Sequence, residues 1–238
     1  MTSPDPWQMQ ASFSGPGALA GPMRPTFIPK LVTWATLAGW TVVVIAEAIT
    51  AQIRLGLIDS LSDPANVDLE SIRTNDRITL ILMILELCAT LVVGIALIAW
   101  LFRVRANALA IRDDGQRWGR PWVVFGWIVP IANFWVPKQI VDDIWSTSAP
   151  AQEGRQGVRK PLLVAVWWIT WWLYSFASNF IARTTGSRDD LASLRDTASN
   201  TVLIAPIGIL AAVLTAAVVW RISRFQETQA ARIAAALA

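Results

Sequence analysis

Two glutamates stand inside long apolar runs: Glu47 within Leu31–Ile53 and Glu86 within Ile78–Phe102. An acid in such a setting is costly unless it meets a partner, and intramembrane acids commonly mark ion or proton paths. At a helical rise of 1.5 Å per residue, Glu47 lies roughly 9 Å from the end of its run and Glu86 roughly 12 Å from the start of the next. Antiparallel packing of these consecutive runs would let the carboxylates meet. In low dielectric the pair would then share a proton or hold a cation between them. The alternative is pairing with Arg54, Arg77 or Arg183, which cluster near the same edge; Arg54 is seven positions from Glu47 and on its helical face.

A second group joins Arg103, Arg105, Asn107, Arg112, Asp113, Asp114, Arg117, Arg120, Lys138, Asp142 and Asp143. Paired aspartates beside a membrane could hold Mg²⁺ while arginines take a lipid phosphate, the chemistry of a lipid-modifying enzyme. The simpler account is juxtamembrane arginine attracting anionic lipid at about 1 kcal/mol per residue. Neither acid pair has a D-x-x-D-type spacing. A third feature is WWITWW at 167–172, four indoles around one helix. They could line a cation or lipid site or simply pack between helices. No nucleophile–base pair, phosphate loop or dinucleotide glycine pattern occurs, so no catalytic residue is assigned. With no histidine and a single cysteine, Cys88, the usual zinc sites and an intrachain disulfide are excluded, and no cofactor is expected.

The elements that must hold these residues are apolar. The 238 residues are 54% hydrophobic and 16% charged, well short of the roughly 25% charge of a soluble domain. Four runs are long enough to cross a hydrocarbon core of about 30 Å: 31–53, 78–102, 162–182 and 201–220. Residues 1–30 hold six prolines and little aliphatic periodicity, the composition of a disordered tail. No basic start leads directly into an apolar region, so Leu31–Ile53 is expected to be an anchor and not a secretory signal. The sequence pI of about 9.6 raises nucleic acid as a partner, but the placement of the charges favours a membrane.

Residues 121–145 decide the topology. If 121–137 does not cross, 14 basic residues share one side with the N-terminus and six lie on the other, the asymmetry expected between cytoplasm and exterior. If it crosses, the split is ten and ten. Pro130 interrupts any helix there, Gly126 and Asn133 are poor helix formers, and Trp122, Trp127 and Trp135 suit a headgroup layer. The expectation is a re-entrant or interfacial element that returns to the cytoplasmic side. Two far-side segments also match, DLESIR at 68–73 and DLASLR at 190–195. Either a duplicated hairpin or a shared helix-start signal, Asp before an apolar run, explains them.

The run RWGRPWVVFGWIVPIANFWVPKQIVDDIW at 117–145, with FRVRANA at 102–108 and the paired tryptophans of 162–182, resembles the signature of a bacterial membrane family, domain of unknown function 4328. The resemblance extends over most of 31–225. The matched positions are Arg103, Asn107, Gly126, Trp127, Pro130, Asn133, Trp135, Pro137, Gln139, Asp143 and Trp145, and Lys138 departs from the pattern. It implies a membrane architecture and supplies no substrate.

Together these features give an all-α, polytopic membrane helix bundle: four transmembrane helices, a cytoplasmic re-entrant or interfacial element, and a C-terminal tail from 226. The expected setting is a bacterial inner (plasma) membrane with both termini cytoplasmic. Ligand contacts are expected at Glu47, Glu86, Arg103, Asn107, Asn133, Gln139, Asp143, Trp127 and Trp135. The expected partners are the lipid bilayer and anionic phospholipid headgroups, with a protein partner or second copy of the chain left open and nucleic acid excluded. The first function expected is a non-enzymatic lipid- or partner-binding module through 103–160. The alternatives are a small transporter or channel using Glu47 and Glu86, and a Mg²⁺-dependent lipid-modifying enzyme.

Overall fold

The computed structural model describes residues 23–61, 68–150, 161–185 and 190–237. Four long helices dominate: α1 (Phe27–Ser60), α2 (Leu69–Ile111), α5 (Leu162–Thr185) and α6 (Leu191–Leu237). Between α2 and α5 lies a compact insert of α3 (Trp122–Ile128), a single 3-10 turn (Ala132–Phe134) and α4 (Val136–Ser148). Most of the expected tail, residues 1–22, falls outside the described residues, whereas Phe27–Lys30 already forms the first turn of α1. Pro29 is tolerated there because first-turn N–H groups have no intrahelical partner. At the other terminus the expected tail continues α6 to Leu237.

The long helices alternate in direction. Thr33 Oγ1 donates to the Ala96 carbonyl and Trp40 Nε1 to Thr90 Oγ1, which fixes α1 antiparallel to α2. Lys30 pairs with Glu227 and Trp34 Nε1 donates to the Ala216 carbonyl, while Trp167 Nε1 donates to Thr215 Oγ1 and Tyr174 lies on Gly208, which sets α6 antiparallel to both α1 and α5. One end of the bundle therefore gathers the starts of α1 and α5 and the ends of α2 and α6. The far end gathers the opposite termini.

Among the described residues, three of the four anticipated runs, as α1, α2 and α6, are long and apolar enough to cross a membrane. The exception is α5. Its 24 residues span roughly 36 Å, and it is the long helix richest in indoles, with Trp167, Trp168, Trp171 and Trp172 beside Tyr174, Ser178 and Asn179. On α2, Leu80, Met83, Leu87, Leu91 and Ile95 all lie exposed. A helix apolar around most of its circumference suits a hydrocarbon surrounding.

The insert folds back on itself. In one straight helix, residues 126 and 136 would be separated by roughly 15 Å. Here a Cβ on Gly126 would stand 2.9 Å from Val136 Cγ1, so α3 and α4 cross at the closest approach a backbone permits. The break falls at 129–135, where Pro130 cannot continue the α3 ladder. The base of the insert packs on α2 and α6 at the end where α1 starts. Its apolar tip, with Ile128, Ile131 and Phe134 exposed, lies along α5. Phe134 stacks on Trp172 with centroids 4.4 Å apart, and Trp168 Nε1 donates to the Phe134 carbonyl. The tryptophan cluster thus holds the insert against α5 and α6. Val104, Val123, Val136, Ile144, Val164 and Ile222 complete a fully buried core there.

The matching hexapeptides do the same local work. Asp68 accepts the N–H groups of Glu70 and Ser71 at the start of α2, and Asp190 accepts that of Ser193 at the start of α6. Each is an N-cap that satisfies otherwise orphaned donors. The Ser71 hydroxyl, also bonded to Asp68, is the main reason its carboxyl lies below the ordinary range.

Candidate functional site

Glu47 on α1 and Glu86 on α2 line one cavity of about 290 Å³, enclosed by α1, α2, α5 and α6 in the far half of the bundle. Arg54 opens onto the same cavity, but its guanidinium is used by Asn75 and Asp76 of α2. The anticipated Glu47–Arg54 pair is therefore replaced by an α1–α2 clamp, because Asn75 and Asp76 stand directly opposite Arg54. Among the described residues neither Glu47 nor Glu86 forms an ion pair.

Acceptors outnumber donors among the polar lining groups, the donors being Arg54, Tyr174 and Ser178. Thr50, Thr79, Thr197 and Thr201 all face the cavity, and each donates its hydroxyl proton to the carbonyl four residues back, at 2.7–2.9 Å. Their oxygens remain available only as acceptors. Tyr174 donates its hydroxyl to Glu86 Oε1 at 3.0 Å. Two carboxylates and four spent hydroxyls thus present oxygen lone pairs, the environment a cation or a proton requires.

Tyr174 and Ser178, the polar α5 contributions, were not singled out by the sequence. Thr170, Tyr174 and Ser178 recur at i, i+4 and i+8, a polar stripe along an apolar helix that could have revealed them. The Tyr174 ring is fixed edge-on by Trp40 at 5.6 Å, and it lies on Gly208 of α6 so closely that an added Cβ would come within 2.7 Å of it. Pro206 interrupts the α6 ladder two residues away, beside cavity residue Ala205.

The opposite end carries a basic pocket of about 550 Å³ lined by Arg24, Arg103, Arg105, Asn107 and Arg120, with Phe102 and small apolar residues of α2. Arg120 stacks over the Phe102 ring at 5.5 Å. Asn107 accepts the Arg24 N–H and donates to its carbonyl, both at 2.8 Å, and so fixes the chain at Arg24 over the pocket. The remaining Asn107 proton goes to Gln226 Oε1, and Gln226 donates to Ser148 Oγ and the Val104 carbonyl. Asn107 and Gln226 are almost wholly buried, and their bonds tie α2, α4, α6 and the Arg24 segment together.

The other anticipated residues lie in the insert. Asp143 takes the Arg117 backbone N–H and a bidentate grip from its guanidinium, which raises that guanidinium above its ordinary value. Gln139 Oε1 accepts the Trp118 indole at 2.8 Å. Lys138 pairs with Asp142. Each aspartate is therefore already held by a cation of its own, and among the described residues no three His, Cys, Asp or Glu side chains gather into a metal set. Trp127 packs edge-on against Trp168 and Trp171, and Trp135 stays partly exposed. Asn133 Oδ1 is buried without a partner among the described residues. The structure thus separates the anticipated residues into three places: Glu47 with Glu86, Arg103 with Asn107, and the insert.

The model of a family described as Domain of unknown function (DUF4328) matches residues 63–224. The match takes in α2, the insert, α5 and most of α6, so Glu86 and Tyr174 fall inside it and Glu47 on α1 outside, a later start than the resemblance from residue 31 suggested. No curated protein and no solved structure matches the chain. With about two thirds of its length covered by the family model, the chain belongs to the DUF4328 family.

Proposed function

We propose that this protein is a four-span membrane protein that binds a small monovalent cation, the proton included, in the cavity between Glu47 and Glu86, and passes it across the bilayer. The observation that carries the proposal is an acceptor-rich lining: two carboxylates without an ion pair among the described residues and four threonine hydroxyls whose protons are already spent, beside an Arg54 guanidinium held by Asn75 and Asp76. Acids at membrane depth persist where they handle ions, since their burial is costly otherwise. In this proposal α5 is the fourth span and the insert is re-entrant or interfacial. The arginine-rich end then faces the cytoplasm of a bacterial cell, by the bias of basic residues toward that side.

Proteoliposomes carrying an internal pH dye, under imposed Na⁺ or K⁺ gradients, test this. Wild-type protein should give a flux above empty vesicles, and Glu47→Gln and Glu86→Gln should each reduce it at least about tenfold, the scale of losing an interaction of about 1.4 kcal/mol in the rate-limiting state. A flux that survives the double substitution, or no flux above empty vesicles with any cation, overturns the proposal.

A second function is favoured by a different observation. The base of the insert and the clustered arginines lie at one end of the bundle, and the exposed apolar tip runs from there along α5, which suits a module that engages anionic lipid or a partner through 103–160. A Mg²⁺-dependent lipid-modifying activity gains no such support, since Asp142 and Asp143 each already hold a basic side chain.

A further inference from the structure

Four guanidinium groups, those of Arg24, Arg103, Arg105 and Arg120, border one pocket, and among the described residues none of them is paired with a carboxylate. Like charges gathered without a counter-ion repel one another, and a basic pocket of this kind is stabilised when an anion occupies it. Arg105 sharpens the point. It is only 8% exposed, and its Nη2 donates to the Trp118 carbonyl at 2.6 Å. Its Nε–H is buried with no acceptor among the described residues. A buried guanidinium donor left unmade costs more than an ordinary polar group, so the fold holds a donor in waiting there. Asn107 offers nothing further, since both its amide protons are spent on Arg24 and Gln226. The recognition chemistry is thus that of guanidinium for a compact, multiply charged oxyanion, which arginine forks bind in preference to a single carboxylate.

The surroundings identify the source of that oxyanion. Val92, Ile95, Ala99, Phe102 and Ala106 recur on α2 at alternating spacings of three and four, one continuous stripe. Ala99, Phe102 and Ala106 line the pocket, while Val92 and Ile95 below it are 50% and 70% exposed. From Phe102 to Val92 the stripe runs roughly 15 Å, about half a hydrocarbon core. A free anion has no use for that stripe, whereas an acyl chain would lie along it.

We infer that the Arg24–Arg103–Arg105–Arg120 pocket binds the phosphate of an anionic membrane lipid, with an acyl chain along the Val92–Ile95–Ala99 stripe of α2. This rests on the lipid-binding function of the 103–160 end and names its site and ligand class; it is independent of the cation cavity.

The test uses the full chain in detergent, titrated with phosphatidylglycerol, phosphatidylcholine or inorganic phosphate and followed by native mass spectrometry. Phosphatidylglycerol should bind saturably at one site, with phosphatidylcholine at least about tenfold weaker. The pair Arg103→Gln and Arg120→Gln, both more exposed than Arg105, should weaken phosphatidylglycerol at least about tenfold. Arg105→Lys keeps the charge but loses the fork, and should weaken it as well. Arg221→Gln with Arg224→Gln, outside the pocket, should leave binding unchanged. If anionic preference persists in the Arg103/Arg120 variant, or falls equally in the Arg221/Arg224 variant, the pocket is wrong although lipid binding at this end stands. If wild-type protein shows no anionic preference, both fall. If inorganic phosphate at millimolar concentration saturates the site and displaces lipid, the pocket is a phosphate site and its assignment to lipid is overturned.

Discussion

Gln226→Leu is expected to lower the unfolding temperature in detergent by on the order of 10 °C, corresponding to about 2–4 kcal/mol for a chain of this size. Leucine nearly matches glutamine in volume, so packing alone predicts little change. The cost comes from the partners. Asn107 would lose the acceptor for one amide proton, Ser148 Oγ its donor, and the Val104 carbonyl its second bond, all in a site from which water is excluded. Each stranded polar group costs about 1–3 kcal/mol, less whatever local relaxation recovers. Because Asn107 also holds Arg24, the substitution should loosen the basic pocket and weaken phosphatidylglycerol binding together with stability. A Tm within about 2 °C of wild type, under the shift expected from even 1 kcal/mol, would show that this network does not join the helices as described. The control is Thr228→Leu, an exposed position two residues further on, and it should be nearly silent.

Gly208→Leu should be the most damaging single change at the far end. Even the first carbon of an added side chain would meet Tyr174 Cε2 at 2.7 Å and Trp40 Cη2 at 3.2 Å. The ring is wedged edge-on against Trp40, so it cannot give way without breaking its hydroxyl's bond to Glu86. Overpacking of this kind costs about 1–3 kcal/mol. It should also reduce cation flux toward the level of Glu86→Gln, since the displaced tyrosine removes the donor that orients that carboxylate. Gly39→Leu provides the comparison, because nothing lies within 4 Å of a Cβ there. Thermal unfolding and proteoliposome flux of the two variants should diverge clearly. If they coincide, the close α5–α6 packing that places Tyr174 on the cavity is wrong.

Several of these features were legible before any coordinates. Hydropathy located the long helices, Asp68 and Asp190 announced their helix starts, and Pro130 with Gly126 marked the place where the chain turns. Glu47 and Glu86 stood out because charge in an apolar run is conspicuous. The partners of those residues were hidden for a physical reason: which side chains meet depends on the rotation of each helix about its axis. Arg54 lies on the Glu47 face of α1, yet Asn75 and Asp76 of α2 reach it first. Gln226 sits in a polar stretch, RISRFQETQ, that composition assigns to a solvated tail. Its burial follows from a subtler signal, the continuation of the Thr215, Val219 and Ile222 stripe at helical spacing. On α5 the tryptophans are the side chains that hold the insert, so membrane depth and interhelical packing compete for the same positions.

Everything assigned to the two ends depends on the insert turning back at 129–135. Single-cysteine accessibility measures this directly. In a Cys88→Ala background, Asp114→Cys before the insert and Pro150→Cys after it, both exposed positions, would be treated with a membrane-impermeant maleimide in intact cells and in inverted vesicles. The two sites should behave alike, unlabelled in cells and labelled in inverted vesicles, with Ser60→Cys at the far end showing the opposite pattern. Labelling of Asp114→Cys and Pro150→Cys from opposite faces would mean that the insert crosses the membrane, and would contradict the account.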